Sequence, residues 1–211
     1  MDELDYFLKL KRHQITMVKD RGYDVDNEMW VFDDITGNQF KKILTKQYGP
    51  HTIRKLMFSE YTHPERQNLV VFYVGLNGSK QIKIEFIRQF IEKMTKENKE
   101  GILIINSTLS AAANLSLTYI TECDYQIFQE EELMFNLMSH VYQPQFQVLS
   151  EKEVEIIKTV LGLKPKGLSL LLQSDPVVKY YHFSSGQIVR ILTPYPIDSI
   201  LPYHLELAIV Q

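Results

Sequence analysis

The stretch from Leu69 to Ile105, LVVFYVGLNGSKQIKIEFIRQFIEKMTKENKEGILII, carries the strongest secondary-structure signals in the chain. Its first part, Leu69–Val74, is a short apolar run rich in β-branched residues, which is typical of a buried strand. The turn residues Asn77 and Gly78 follow, and the alternation of polar and apolar residues in Gln81–Phe86 predicts a second strand beside the first.

The second part of this stretch predicts a helix followed by another strand. Apolar side chains recur at helical spacing at Ile87, Phe90, Ile91 and Met94. The apolar run Ile102–Ile105 then predicts a buried strand. A mixed sheet flanked by helices results, so the N-terminal part is expected to be a mixed α/β domain.

Two helices are predicted before this stretch. Apolar residues fall at helical spacing from Leu4 to Arg21, and Gly22 is a helix stop signal. From Asn38 to Lys46 the apolar residues share one side and the lysines lie elsewhere, which predicts a helix with a basic face.

A domain boundary is predicted within His140–Leu149, where Pro144 interrupts a segment without helical periodicity. We therefore expect an N-terminal domain of residues 1–142 and a second domain of residues 143–211. Ser150 and Glu153 form a capping box at the start of a predicted helix in the second domain.

The second domain contains further start signals. Ser174 or Asp175 can cap a short helix that has Pro176 at its first position. Gly186 then leads into a predicted strand, Gln187–Leu192.

Composition limits the class of protein. The 211 residues are 45% hydrophobic and 23% charged, as in an ordinary globular protein, and no apolar run is long enough to cross a bilayer. The first residues lack the apolar block of a signal peptide, and Cys123 is the only cysteine, so an intracellular, reducing compartment is expected. The formal net charge of -3 argues against a protein that grips DNA alone.

No strong enzyme motif occurs in the chain, since phosphate-loop, dinucleotide-binding, zinc-protease and nucleophile-elbow patterns are all missing. The six histidines have no metal-ligand spacing. The acidic run Glu130–Glu132 fits the solvated face of an amphipathic helix, and Cys123 fits a small buried side chain. We therefore expect no catalytic residue, no metal site, no cofactor and no small-molecule substrate.

Basic residues cluster in three places and could meet phosphates. They are Lys9, Lys11, Arg12 and His13 in the first predicted helix, Lys41, Lys42 and Lys46 in the second, and Arg54 and Lys55 just beyond. Ordinary solvated faces of amphipathic helices explain the same pattern, so both interpretations stay open.

Three segments carry a resemblance to a known family. They are VKDRGYDV (residues 18–25), FQEEELMFNLMSHVYQPQFQVLS (residues 128–150) and SDPVVKYYHFSSGQIVRIL (residues 174–192). In these segments the chain resembles the fifth subunit shared by eukaryotic nuclear RNA polymerases, whose C-terminal half also occurs by itself as a small component of archaeal RNA polymerases. The resemblance runs nearly end to end, with enough divergence to suggest a remote lineage such as a large DNA virus.

The resemblance implies an α+β protein of two noncatalytic parts. Residues 1–142 would be a jaw domain with a restriction-endonuclease-like fold, and residues 143–211 a small α+β assembly domain that docks on the largest polymerase subunit. The location would be the nucleus for a cellular protein, or the virion and host cytoplasm for a viral one.

The resemblance also implies which residues face the partners. Those near downstream duplex DNA would be Thr108, Leu109, Ser110 and Ala111. From the basic cluster of the first helix, we also expect Lys9 and Arg12 near this DNA. The loop contact would be independent of base sequence, and Ser110→Glu would weaken it. Those at the subunit interface would be Asp175, Pro176, Tyr180, Gly186 and Gln187. For Asp175 and Pro176, a simple helix-capping role is an equal alternative.

Two other functions remain open from the sequence. One is a transcription adaptor that stays outside the core enzyme. The other is a diverged nuclease, for which the predicted strands offer only Lys83 and Glu85 in alternation, without a partner carboxylate for a metal ion.

Overall fold

The computed structural model describes residues 2–75, 81–117, 124–160, 162, 167–194 and 203–211. The chain divides into two compact units, an N-terminal unit (Met1–Phe135) and a C-terminal unit (Asn136–Gln211). The sequence prediction places this division further along the chain, after Tyr142. Each unit contains both helices and strands, which confirms the α+β class.

The helices of the N-terminal unit are α1 (Glu3–Asp20), α2 (Gly37–Tyr48), α3 (Ile53–Leu56), α4 (Ile84–Glu97) and α5 (Ala111–Leu117). Short 3-10 helices span Asp26–Phe32 and Glu130–Leu133. The prediction of α1 is confirmed, and Gly22 follows it with a φ of 89°, a left-handed conformation that glycine adopts without steric cost.

The strands of this unit are β1 (Ser59–Tyr61), β2 (Leu69–Val74), β3 (Gln81–Ile82), β4 (Glu100–Ile105), β5 (Thr108–Leu109) and β6 (Tyr125–Gln129). The main sheet has the order β1-β2-β4-β6, in which β1 is antiparallel to β2 and the other pairs are parallel. A separate parallel pair joins β3 and β5.

Strand β4 lies in the middle of this sheet and is buried from Gly101 to Ile105. Such a continuous apolar run is expected of a parallel strand covered on both faces. A Cβ atom at Gly101 would lie 2.6 Å from Cζ of Phe90, so the glycine permits the close approach of α4 to the sheet.

The predicted strand Gln81–Phe86 is mostly wrong. Only Gln81 and Ile82 are extended, Lys83 is the N-cap residue of α4, and the helix already begins at Ile84. Moreover, β3 pairs with β5 and not with β2. Short alternating runs are ambiguous because four residues can satisfy a strand pattern while they form the first turn of a helix. The turn residues Asn77 and Gly78 lie outside the described residues.

The acidic run also departs from its prediction. Glu130–Leu133 forms a single 3-10 turn, and the Glu130 side chain is only 4% exposed. Its carboxylate accepts two hydrogen bonds from Arg54, at 2.8 and 3.2 Å, and this ion pair explains how the charge can be buried. Cys123 lies outside the described residues.

The C-terminal unit contains β7 (Gln145–Val148), α6 (Glu151–Val160), β8 (Ser169–Leu171), α7 (Pro176–Tyr181), β9 (Ile188–Pro194) and β10 (Tyr203–Val210). A short 3-10 helix spans Leu137–Ser139. The sheet order is β7-β9-β10-β8, with antiparallel pairs except for the parallel pair of β10 and β8.

One face of this sheet packs against α7. Its core is formed by Val177, Val178, Phe183, Val189 and Val210. The predicted capping box is confirmed, because the Ser150 hydroxyl and the Glu153 carboxylate bond to each other's backbone N–H groups. Asp175, not Ser174, caps α7, and Pro176 holds its first position.

No helix in the described part of the chain combines the length and the apolar character that a bilayer crossing requires.

Candidate functional site

The loop Thr108–Ala111 joins the small strand pair to α5. Thr108 lies opposite Gln81 and Leu109 lies opposite Ile82, and the backbone N–H of Ser110 donates to the Ile82 carbonyl at 3.1 Å. These bonds fix the backbone of the loop on one side of the N-terminal unit.

The four loop side chains have different surroundings. Leu109 packs against the apolar core, whereas Thr108 and Ala111 are exposed. The Ser110 hydroxyl accepts a hydrogen bond from the backbone N–H of Ala113 at 3.2 Å, so Ser110 caps α5. Sequence reasoning missed this cap, although a serine directly before an alanine-rich helix is the usual signal.

Lys9 and Arg12, the two α1 residues expected near DNA, both make contacts within the protein. Arg12 donates from its guanidinium to the carbonyls of Val31 and Asp33, both at 2.7 Å. The Lys9 ammonium lies 5.5 Å from the ring centroid of Phe135. Both side chains are half-buried and keep part of their surface open to solvent.

Lys11 is different, and its burial contradicts both of the interpretations left open for the basic clusters, contact with phosphates and an ordinary solvated face. Its side chain is 1% exposed, and its ammonium lies 3.0 Å from the Glu28 carboxylate. Oxygens of Gln14, Ser59 and Tyr61 also accept from it. Burial lowers the pKa of Lys11, and the nearby Glu28 carboxylate opposes that shift.

Three of the histidines that the structure describes make local contacts or end a helix. His13 bonds the carbonyl of Leu133 through Nδ1 at 2.8 Å. His63 Nδ1 accepts backbone N–H groups from Glu65 and Arg66. His182 ends α7 in a left-handed conformation, with a φ of 58°.

The residues considered for a nuclease site do not form one. Lys83 is the N-cap of α4 and Glu85 lies in its first turn, so the two are not alternate residues of a strand. Both side chains are exposed. The arrangement therefore lacks the strand geometry on which that hypothesis depended.

The predicted interface residues of the C-terminal unit mostly stabilise the fold. The Asp175 carboxylate accepts from the backbone N–H of Val177 at 2.8 Å, and Tyr180 is 7% exposed. The N–H of Gly186 donates to the carbonyl of Val210, while the Gln187 side chain accepts from Ser184. Pro176 and Gly186 are the two that remain exposed.

A second surface of this unit was missed by sequence reasoning. Leu170 is 62% exposed and Leu205 is 57% exposed. Leu170 lies opposite Ile209, and Leu205 has the same side-chain direction as Ile209 because both are odd positions of β10. Both leucines therefore project from the sheet face opposite the core. Exposed apolar groups on one face are typical of an interaction surface.

Arg190, on the same sheet face as Leu170 and Leu205, connects α6 to the sheet. Arg190 donates to Gln147 at 3.2 Å and forms an ion pair with Glu153 at 2.9 Å. The N-terminal end of α6 therefore lies over β7 and β9. The same helix exposes Ile156 and Val160, at 58% and 74%.

Comparisons with known proteins agree with the resemblance. Residues 135–198 match the sequence family described as RNA polymerase Rpb5, C-terminal domain. The chain is 26% identical to DNA-directed RNA polymerases IV and V subunit 5B of Arabidopsis thaliana, over 88% of this chain and 82% of that protein.

Two further relatives come from distant sources. The chain is 25% identical to DNA-directed RNA polymerases I, II, and III subunit RPABC1 of Caenorhabditis elegans, with 92% of each protein covered. It is 39% identical to DNA-directed RNA polymerase subunit 5 of Acanthamoeba polyphaga mimivirus, over 36% of this chain and 38% of that protein.

Proposed function

Because the chain is a divergent member of the RNA polymerase subunit 5 family, we propose that it is a noncatalytic subunit of a multisubunit DNA-directed RNA polymerase. The observation that carries this proposal is the match of residues 135–198 to the Rpb5 C-terminal domain. Relatives that align along most of the chain extend the support to the N-terminal unit.

In this proposal the C-terminal unit docks on the largest polymerase subunit. The exposed leucines of its sheet, Leu170 and Leu205, supply apolar area for such a contact. Burying an exposed leucine side chain contributes about 2 kcal/mol before the costs of association. Pro176, at the start of α7, and Gly186, in the turn before β9, are further exposed positions of the same unit.

The N-terminal unit serves as the jaw beside downstream duplex DNA, with a restriction-endonuclease-like fold. The three parallel strands β2, β4 and β6, with α4 and α5 between them in the chain, support such a fold. In the loop Thr108–Ala111, exposed groups are close to the backbone and carry no formal charge. Such groups can hydrogen-bond phosphate oxygens without reading bases, as a general polymerase requires.

The absence of catalysis is part of the proposal. It is supported by the position of Lys83 and Glu85 in the first turn of a helix, where they cannot serve as strand-borne nuclease residues. Its relatives are polymerase subunits of eukaryotes and of a mimivirus, so an intracellular location is expected. We propose the nucleus for a cellular protein and the virion and host cytoplasm for a viral one.

The test is affinity purification of the tagged chain from its native source. We expect large polymerase subunits in stoichiometric amounts and templated RNA synthesis in the eluate. Recovery of the chain alone, or with an unrelated partner and no RNA synthesis, would leave the transcription adaptor as the better function. Cleavage of DNA by the purified chain with a divalent ion would instead support a nuclease.

A matched pair of variants tests the docking surface. Leu170→Thr combined with Leu205→Thr keeps strand-compatible side chains but removes apolar area, so it should reduce recovery of the large subunits. Ile43→Thr, an exposed apolar position in the N-terminal unit, is the control and should keep recovery at the wild-type level. Equal recovery for both variants would contradict docking through this face.

A further inference from the structure

One segment of the N-terminal unit has a charge opposite to that of the chain. From Ile35 to Ser59 there are five Lys or Arg residues and no Asp or Glu. The segment therefore has a formal charge of +5. Because the formal net charge of the whole chain is -3, the other residues together carry -8. The nearest acidic residues along the chain are Asp34 and Glu60, at its two ends.

The lysines of this segment are open to solvent. Lys41, Lys42 and Lys46 of α2 and Lys55 of α3 are all exposed. Within the part of the chain that the structure describes, none of the four has an ion pair, a hydrogen bond or an aromatic ring as partner. Arg54 differs, because Glu130 already neutralises it at 2.8 Å.

The fold directs these charges outward. Phe40 and Leu44 of α2 are buried, and Lys42 and Lys46 each lie two positions after one of them, on roughly the opposite side of the helix. Lys42 and Lys46 are also four residues apart, so they are neighbours on the helix surface and repel each other. A bound anion would remove this repulsion.

We propose that α2 and α3 form a nucleic-acid contact, the α2–α3 basic surface, that binds the phosphodiester backbone without reading bases. Four unpaired ammonium groups on adjoining helices match a chain of phosphates, each of which carries one negative charge. This surface is separate from the loop Thr108–Ala111, which has no basic side chain. The inference extends the proposed function, but it is a property of the isolated chain and can be tested without a polymerase.

The test measures binding of the purified full chain to fluorescent duplex DNA and to single-stranded RNA over a range of salt. The variant Lys41→Gln, Lys42→Gln, Lys46→Gln should bind at least tenfold more weakly at low salt. The slope of log affinity against log salt should decrease by about 0.9 for each lost contact on duplex DNA and by about 0.7 on a single strand.

Two controls separate the surface from net charge and from folding. Lys19→Gln, Lys152→Gln, Lys158→Gln changes the net charge by the same amount at exposed lysines elsewhere and should keep wild-type affinity. Lys41→Arg, Lys42→Arg, Lys46→Arg keeps the charge on α2 and should also bind as the wild type does.

The outcomes are distinct. A selective loss with the α2 glutamine variant supports the inference, and the nucleic acid that shows the larger loss identifies the source of the phosphates. An equal loss of affinity in the α2 glutamine variant and in the control with Lys19, Lys152 and Lys158 replaced overturns the inference. It is also overturned if neither variant loses affinity. Failure of the arginine variant to bind also overturns it, because a phosphate contact needs the charge and not the lysine. Binding of the wild-type chain to neither nucleic acid also overturns it.

Discussion

The buried ammonium of Lys11 forms an ion pair with the partly exposed carboxylate of Glu28, which connects α1 to the 3-10 helix Asp26–Phe32. The two groups are 3.0 Å apart, and the Glu28 carboxylate also accepts from Ser59 at 2.5 Å and from Tyr61. Tyr73 reaches the same cluster through Gln14, at 3.2 Å. In the sequence, Lys11 is one basic residue among several, and no pattern distinguishes it from its exposed neighbours.

A double-mutant cycle measures this pair. Glu28→Gln leaves a buried ammonium without its counter-charge, and Lys11→Met leaves the carboxylate unpaired, so each should lower the free energy of unfolding by about 3 kcal/mol. The double variant should lose at least about 1 kcal/mol less than the sum. Denaturant unfolding gives all three values. Simple additivity would mean that the two groups do not stabilise each other.

The raised pKa of Tyr23 predicts how the free energy of unfolding changes at alkaline pH. Its hydroxyl donates to Glu100 at 2.7 Å, and burial, followed by this hydrogen bond, raises the pKa of Tyr23. In the unfolded chain the phenol ionises near its ordinary value of 10.0. The folded protein keeps that proton to higher pH, so the stabilisation is complete below about pH 10 and is lost as pH rises further.

The variant Tyr23→Phe isolates this contribution. It should be less stable than the wild type at pH 8, because it lacks the bond to Glu100. The difference should shrink between pH 10 and pH 11, since only the wild type loses stability there through this phenol. Denaturant unfolding of both proteins at each pH measures this difference in stability. Burial raises the pKa of Tyr61 and Tyr73 as well, and these effects cancel in the comparison. A difference that stays constant with pH would contradict the assignment.

At the scale of elements, the cap of α5 changes how the proposed DNA contact must be tested. Ser110→Glu would add a charge but would also remove the hydroxyl that accepts from Ala113. A loss of function could then result from destabilisation of α5 and not from repulsion of DNA. Ala111 is the first residue of α5 and is exposed, so a substitution there leaves the cap intact.

Ala111→Glu should weaken retention of downstream DNA. A carboxylate in the first turn suits the helix dipole, so the fold should tolerate it, while nearby phosphates would be repelled. The measurement is the lifetime of elongation complexes that contain the variant subunit, over a range of salt. Ala111→Gln is the matched neutral control and should behave as the wild type does. If the glutamate and glutamine variants give equal lifetimes, the loop is not close to phosphate.

Periodicity misleads where a short segment fits both a helix and a strand. The long helix α1 and the strands β2 and β4 follow from runs of apolar residues that only one structure explains. The sequence Gln81–Phe86 is compatible with two structures. The alternation of Ile82 and Ile84 with polar residues is typical of a strand, but so short a run can also begin a helix. The contact that decides it is the pairing of β3 with β5, which lies far away in the sequence.

For the whole molecule, the division into two units predicts that binding can be separated. Residues 136–211 have their own core and their own sheet, so they should fold alone and capture the large polymerase subunits. Residues 1–135 should not capture them. Circular dichroism checks folding of each fragment, and co-purification checks binding. Capture by the N-terminal fragment alone would move the docking surface to the jaw.

The α+β class, the main helices and strands, the capping box at Ser150 and the resemblance to RNA polymerase subunit 5 can be predicted from the sequence, because they depend on local periodicity and on motifs of adjacent residues. The burial of Lys11 and Glu130, and the exposure of Leu170, Leu205 and the lysines of α2, follow from tertiary packing and could not be predicted from the sequence. Burial depends on which distant segments pack together, and a charge can be buried only where a distant partner such as Glu28 or Arg54 meets it.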